Sequence, residues 1–95
     1  MIKVNEYFDG GVKSLGYDTT EGKSTVGVME AGEYEFGTTS PETMIIIEGK
    51  LEVLLPGKQD WQLFAKGQMF EVPANASFKV KSLGQSSYLC KYRDV

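Results

Sequence analysis

Three hydroxyl side chains lie next to one another in the segment GTTSPE, residues 37–42. Thr38, Thr39 and Ser40 also bring successive backbone N–H groups, and such groups form concave nests that bind anions such as phosphate. The cationic candidates for the same anion are Lys13, Lys91 and Arg93. Arg93 is the chain's single arginine, and a guanidinium can grip a phosphate at two points. The alternative is that these are ordinary turn hydroxyls and solvated basic groups, and the sequence leaves both open.

Histidine is absent from the chain, and cysteine occurs once, as Cys90. Carboxylates alone make a poor site for iron, so we expect no metal cofactor and exclude a metal-dependent dioxygenase or isomerase. Cys90 is a weak candidate for a nucleophile, because a thiolate is usually activated by a histidine or a nearby positive charge. We therefore expect Cys90 to be a small, buried, apolar residue.

Short alternating runs separated by turn residues predict an all-β protein, either a sandwich or a barrel. The run MIIIEGKLEVLL is expected to split at Glu48-Gly49-Lys50 into two strands joined by a tight turn. The segment YDTTEGKS, Tyr17 to Ser24, has no clear strand pattern and is predicted to be a loop. The other predicted strands are STVGVM, EYEF, WQLF, MFEVP, SFKVK and SSYLCKY.

Alternate residues of a strand face opposite sides of a sheet, so the charged positions identify the side that faces water. This follows because burying an unpaired charge costs several kcal/mol. In EYEF, for example, the glutamates alternate with the aromatic residues. The rule predicts an interior rich in aromatic side chains, namely Tyr34, Phe36, Phe78, Tyr88 and Tyr92. These are enough to line a cavity as well as to fill a core.

The composition predicts one folded domain, residues 1–95, with 41% hydrophobic and 24% charged residues. A net charge of −3 argues against binding to nucleic acid or anionic lipid. The N-terminal segment lacks the apolar core of a signal peptide, and no apolar run approaches the ~20 residues that span a bilayer. A single cysteine suits a reducing compartment. We expect a cytoplasmic protein that binds neither nucleic acid nor membrane.

Two sets of spaced residues resemble the motifs of the cupin family of small β-barrels. The second cupin motif is matched by Gly67, Pro73 and Asn75, the last in place of the usual glycine. Phe78 stands where that motif has a metal-binding histidine. Glu42, six residues and Gly49 match the latter half of the first motif, but the preceding FGTTSP holds no histidine. The resemblance implies a single cupin domain, a small β-barrel or jelly roll, without its metal ligands.

A wider resemblance runs in register from about Asn5 to Tyr92. The stretches NEYFDGGVKSLGY, TVGVMEAGEYEFGT, PETM, GKLEVLLPG, GQMFEVPA and SYLCKY together resemble the pyrimidine/purine nucleoside phosphorylase family of small bacterial cupins. The resemblance implies a pentosyltransferase of broad specificity that uses phosphate as its co-substrate. It would split purine and pyrimidine nucleosides into free base and ribose 1-phosphate without a metal.

This chemistry needs neither metal-bound water nor an activated side chain, because phosphate is itself the nucleophile at C1′ of the ribose. The site must instead bind phosphate, stabilise positive charge on the ribose and position the base. Glu42 is the candidate for the ribose, because cupins aim a glutamate inward at this slot and Glu42 shares the parity of Met44 and Ile46. The alternative is that Glu42, beside Pro41, is a loop-edge residue in water.

The inward aromatic residues are the candidates for contact with the base. Stacking on an aromatic face contributes ~1–3 kcal/mol per base and accepts any base. Phe78 is favoured because it replaces a cavity-facing ligand, although inward aromatic residues usually belong to the core.

Two further expectations concern function class and assembly. A non-catalytic cupin that binds a nucleoside or another small metabolite remains the alternative to an enzyme. The small domain and its sheet edges predict a homodimer, with the segment VNEYFDG, residues 4–10, in part of the contact.

Overall fold

The computed structural model describes residues 1–92, which form ten antiparallel strands and one short 3-10 turn, Phe8–Gly10. The strands are β1 (Lys3–Tyr7), β2 (Val12–Thr19), β3 (Gly22–Met29), β4 (Gly32–Gly37), β5 (Glu42–Glu48), β6 (Lys50–Leu54), β7 (Gln62–Ala65), β8 (Met69–Val72), β9 (Ser77–Ser82) and β10 (Ser86–Tyr92). A six-stranded sheet has the order β1-β2-β3-β10-β5-β8, and a four-stranded sheet has the order β4-β9-β6-β7. The predicted all-β jelly roll is confirmed. No helix within residues 1–92 is long and apolar enough to cross a membrane.

The two sheets pack through one cluster of buried side chains that both of them supply. The alternation expected from the sequence is visible in β9, where Phe78 and Val80 are buried and Lys79 is exposed. The buried hydrophobic cluster consists of Val12, Met29, Tyr34, Met44, Ile46, Leu51, Val53, Phe70, Val72, Phe78, Val80, Tyr88 and Cys90.

The prediction of a loop at Tyr17–Ser24 was wrong, because this segment is the end of β2 and the start of β3. Thr19 pairs directly with Gly22, which leaves a two-residue turn at the tip of a hairpin. The Thr19 hydroxyl accepts a hydrogen bond from the Glu21 backbone N–H at 3.1 Å. Both faces of this tip are largely exposed, so the polar sequence carries no alternation from which a strand could be predicted.

The predicted break at Gly49 is confirmed, but the two strands that it joins do not pair with each other. Strand β5 belongs to the six-stranded sheet and β6 to the four-stranded sheet, so the chain crosses between the sheets at this residue. Gly49 has a φ of 90°, and a Cβ atom there would lie 2.8 Å from Cβ of Ser86. Only glycine fits this turn.

Candidate functional site

A cavity of about 260 Å³, here called the aromatic cavity, lies between the two sheets. The six-stranded sheet contributes Ser14, Glu42, Met44, Tyr88, Cys90 and Tyr92, and the four-stranded sheet contributes Glu35, Phe36, Gly37 and Phe78. Tyr7 and Phe8 complete the lining. Its volume is a little below the ~300–1,000 Å³ of sites for drug-sized ligands, which suits a small metabolite.

Glu42 is the first residue of β5, and its side chain faces this cavity. The predicted parity is confirmed, because Met44 and Ile46 are buried on the same face and Glu42 is half-buried. Glu42 pairs across the sheet with Tyr92, and Met44 pairs with Cys90. The carboxylate is therefore held by a paired strand, and it is not a loop-edge group in open water.

The Glu42 carboxylate has a thiol as its neighbour. Sγ of Cys90 donates a hydrogen bond to Oε1 of Glu42 at 3.4 Å. Burial raises the pKa of Glu42, and the hydrogen bond from Cys90 acts in the opposite direction. Burial, together with the charge of Glu42, raises the pKa of Cys90 far above its usual value, so the thiol stays protonated. Cys90 is 2% exposed, which confirms the prediction that it is buried.

Two tyrosines stand beside this pair and remain neutral phenols. Burial raises the pKa of Tyr88 and of Tyr92, and the neighbouring Cys90 and Glu42 raise both further. Glu42 thus has a protonated thiol and two neutral phenols as neighbours, and no cation lies among the residues that line the aromatic cavity.

The four-stranded sheet gives the aromatic cavity an aromatic wall. Phe36 and Phe78 are direct cross-strand partners, and their ring centroids lie 5.7 Å apart. Phe78 also contacts Phe70 in the core, with centroids 6.0 Å apart. Tyr34 faces inward as predicted, but it does not line the cavity, since its hydroxyl donates to the Glu30 carbonyl oxygen at 2.8 Å.

Phe8 and Tyr7 line the cavity and were not predicted. Phe8 and Asp9 both have a φ of 54°, in the left-handed region that non-glycine residues rarely adopt. The Phe8 ring packs 5.0 Å from Tyr34 and 5.7 Å from Phe36, centroid to centroid. The Asp-Gly-Gly run after Phe8 is a turn signal, but nothing in the sequence indicates where the ring lies.

The predicted hydroxyl cluster does not reach the aromatic cavity. Thr38 is buried, and its Oγ1 donates to the Pro73 carbonyl oxygen at 2.6 Å and accepts from the Ala76 N–H at 3.1 Å. Thr39 is exposed and Ser40 is half-buried, and neither lines the cavity. A surface depression beside this segment contains Glu42 and Glu71 and no cation.

The predicted cations also lie elsewhere. Nζ of Lys13 is 3.7 Å from Glu6, and Nζ of Lys91 is 3.2 Å from Glu21. Arg93 lies outside the described residues, so its predicted role stays a prediction. Within residues 1–92, no three His, Cys, Asp or Glu side chains are grouped closely enough to hold a metal ion.

A jelly roll of two antiparallel sheets with a cavity between them is the cupin fold. A solved RmlC-like cupin from Shewanella frigidimarina has the same fold, with a TM-score of 0.73 at 15% identity over 96% of this chain and 82% of that chain. The family model for pyrimidine/purine nucleoside phosphorylase matches residues 2–92, and the chain belongs to that family. The resemblance predicted from the sequence is confirmed.

Similar proteins cover essentially the whole chain. The pyrimidine/purine nucleoside phosphorylase of Pseudomonas paraeruginosa is 57% identical over 93 residues, which are 98% of this chain and 100% of that protein. A crystal structure of a protein of unknown function from Vibrio parahaemolyticus is 44% identical with a TM-score of 0.95, covering 98% of this chain and 99% of that one.

Proposed function

We propose that this protein is a pentosyltransferase that cleaves purine and pyrimidine nucleosides with phosphate, yielding free base and ribose 1-phosphate without a metal. Family membership and the name of the Pseudomonas relative support the reaction class. The observation that carries the proposal is the half-buried Glu42 carboxylate in a cavity with an aromatic wall.

Glu42 is assigned to the ribose. A phosphate oxygen forms a bond to C1′ while the C1′–N bond breaks, and its electron pair leaves with the base, which then takes a proton from water. Positive charge develops on the ribose during this exchange. A half-buried carboxylate, partly shielded from water, stabilises that charge, and contacts of this kind typically contribute ~10²–10³ in rate. The Cys90 thiol keeps Oε1 oriented without neutralising it.

Phe36 and Phe78 are assigned to the base. Their paired rings offer a stacking surface, and stacking does not read the hydrogen-bonding edge of a base. This surface therefore supports a broad range of purines and pyrimidines. Tyr34 is not assigned to the base, because it belongs to the core and its hydroxyl donates a hydrogen bond to the Glu30 carbonyl oxygen.

The reaction is tested by incubating the protein with inosine or uridine, with and without phosphate. We expect free base only with phosphate, and no effect of EDTA. Binding of nucleoside without release of base would favour the alternative, a non-catalytic nucleoside-binding cupin. Activity that EDTA abolishes and zinc, manganese or iron restores would contradict the metal-free mechanism.

The homodimer is proposed to form through the outer face of the six-stranded sheet. One apolar residue per strand forms an unbroken row of directly paired positions: Val4, Leu15, Val26, Leu89, Ile45 and Met69. Five strand spacings of ~4.8 Å make this row about 24 Å long, nearly the 25 Å of the shortest molecular dimension. A two-fold axis along the row lays it against the same row of a second copy. Val4 belongs to the predicted N-terminal contact segment.

A further inference from the structure

A second cavity of about 380 Å³ adjoins the aromatic cavity and has a different chemistry. Tyr7 and Tyr92 line both cavities, so the two cavities adjoin each other at these side chains. Its other polar lining residues include Lys3, Asn5, Asp18, Lys23 and Thr25. We call it the lysine cavity, because Lys3 and Lys23 line it and no other lysine of residues 1–92 lines either cavity.

Strand pairing brings Lys23 close to the candidate catalytic carboxylate. Strand β3 pairs with β10, and Nζ of Lys23 lies 5.6 Å from the centroid of the Tyr92 ring. Tyr92 pairs in turn with Glu42 on β5. Lys23 and Glu42 are therefore two strands apart on one face, which corresponds to about 10 Å between their backbones. Tyr92 occupies the strand position between them, so ligand groups held by Lys23 and by Glu42 would lie on either side of its ring.

Lys3 reaches the same cavity from the edge strand. Its Cβ lies 3.7 Å from the position that a Cβ on Gly16 would occupy, and Cγ2 of Thr25 lies 3.8 Å from that position. Gly16 thus lies between Lys3 and Thr25. Because it has no side chain, it leaves open space between β1 and β3. Asn5 stands beside them, with its Nδ2 3.3 Å from the Ser14 hydroxyl.

The charged side chains favour binding of an anion in the lysine cavity and oppose it in the aromatic cavity. Neither Lys3 nor Lys23 forms an ion pair with a carboxylate of residues 1–92. Asp18, the direct cross-strand partner of Lys23, also lines the cavity. The two lysine charges exceed its single negative charge. The aromatic cavity has only the carboxylates Glu35 and Glu42 as charged lining groups.

We propose that Lys3 and Lys23 bind inorganic phosphate, the co-substrate, in the lysine cavity, with Asn5 and Thr25 as neutral hydrogen-bonding partners. This inference rests on the proposed phosphorolysis, and it assigns the phosphate to residues other than the hydroxyl cluster of the 37–42 segment. Phosphate bound there lies on the Lys23 side of a ribose held by Glu42, and the Tyr92 ring adjoins both. Ammonium–phosphate hydrogen bonds are charge-assisted and stronger than neutral ones.

The test measures phosphate binding directly, by titration of the protein with inorganic phosphate followed by calorimetry and ³¹P NMR, with and without uridine. Sodium chloride keeps the ionic strength constant, because exposed charges are screened by salt. We expect Lys3→Met and Lys23→Met each to raise the Kd for phosphate about tenfold or more, since hydrogen bonds to charged groups are among the strong ones. Lys23→Arg, which keeps the charge, should restore most of the affinity.

The matched control is Lys79→Met, which removes an exposed strand lysine on the outer side of the four-stranded sheet. It should leave the Kd unchanged. Unchanged phosphate affinity in both cavity variants, or no phosphate binding by the wild type in either condition, would overturn the inference. Wild type that binds phosphate through these lysines but releases no base would leave the inference standing and overturn the proposed function. If both variants cleave nucleosides with an unaltered KM for phosphate, the proposed function stands and the phosphate site inferred here is overturned.

Discussion

Tyr88 occupies the space that a side chain at Gly27 would need. The two residues pair directly across β3 and β10, and a Cβ at position 27 would overlap Cζ and the hydroxyl oxygen of Tyr88 and lie 2.6 Å from Cε1. The phenol ring therefore lies across the glycine backbone on the inner face of the sheet. This contact sets the position of one wall of the aromatic cavity.

Gly27→Ala should destabilise the protein by about 1–3 kcal/mol, because it overpacks a filled site and forces the Tyr88 ring to move. Chemical denaturation measures the cost. A double-mutant cycle with Tyr88→Leu identifies the cause, since residues in contact do not behave additively. If the ring is the obstacle, Gly27→Ala should cost far less in the Tyr88→Leu background. An equal cost in both backgrounds would contradict this.

Glu42→Gln should lower kcat by about 10²–10³ and change KM much less, because the lost charge acts mainly in the transition state. The variant keeps the shape of the side chain and should fold. Steady-state phosphorolysis of uridine provides the measurement. Glu71→Gln is the control, since Glu71 is exposed and faces away from the aromatic cavity. An unchanged kcat for Glu42→Gln would remove Glu42 from the catalytic site.

The same substitution should stabilise the folded protein at neutral pH. Burial raises the pKa of Glu42 in the folded state above its ordinary value of 4.5. At a pH between 4.5 and the raised pKa, Glu42 has lost its proton in the unfolded chain but keeps it in the folded protein. The free energy of unfolding therefore falls as the pH rises through this window, and it stays lower above the window. Thermal unfolding should give Glu42→Gln the higher Tm at pH 7, with the difference disappearing below about pH 4.5. A Tm difference that did not depend on pH would contradict the assigned cause.

Phe8→Ala should raise the KM for nucleosides about fivefold or more and leave the reaction phosphate-dependent. The Phe8 ring lines the aromatic cavity and packs 5.7 Å from Phe36, one of the two rings assigned to the base, and stacking on a base contributes ~1–3 kcal/mol. Phe64→Ala is the control, because Phe64 packs against Phe70 and does not line the cavity. That variant should lose stability without a change in KM. Equal KM values for Phe8→Ala and the wild type would exclude Phe8 from the binding site.

Leu15→Glu should convert the proposed dimer to a monomer, because it places a charge within the apolar row of the outer face. Leu15 is 47% exposed in the single chain. Leu63→Glu is the matched control, a 57% exposed leucine on the four-stranded sheet, and it should remain dimeric. Sedimentation velocity at micromolar concentration distinguishes the species. A monomeric wild type, or a dimeric Leu15→Glu variant, would contradict the predicted interface.

The sequence by itself determined the all-β fold, the inward side of the aromatic strands and the inward parity of Glu42. These features are local, because side-chain direction alternates along a single strand and charged positions reveal the wet face. The exposed hairpin tip at Tyr17–Ser24 escaped prediction for the same reason, since both of its faces are largely exposed and the alternation disappears.

The tertiary structure alone decided which inward residues share the site. Thr38 is drawn away from the cavity by hydrogen bonds to Ala76, 38 residues further along the chain. Lys23, which is distant in sequence from both Tyr92 and Glu42, joins them because β3 pairs with β10 and β10 pairs with β5. Strand order is set by the packing of the whole sandwich, so no local pattern could have indicated that these groups meet.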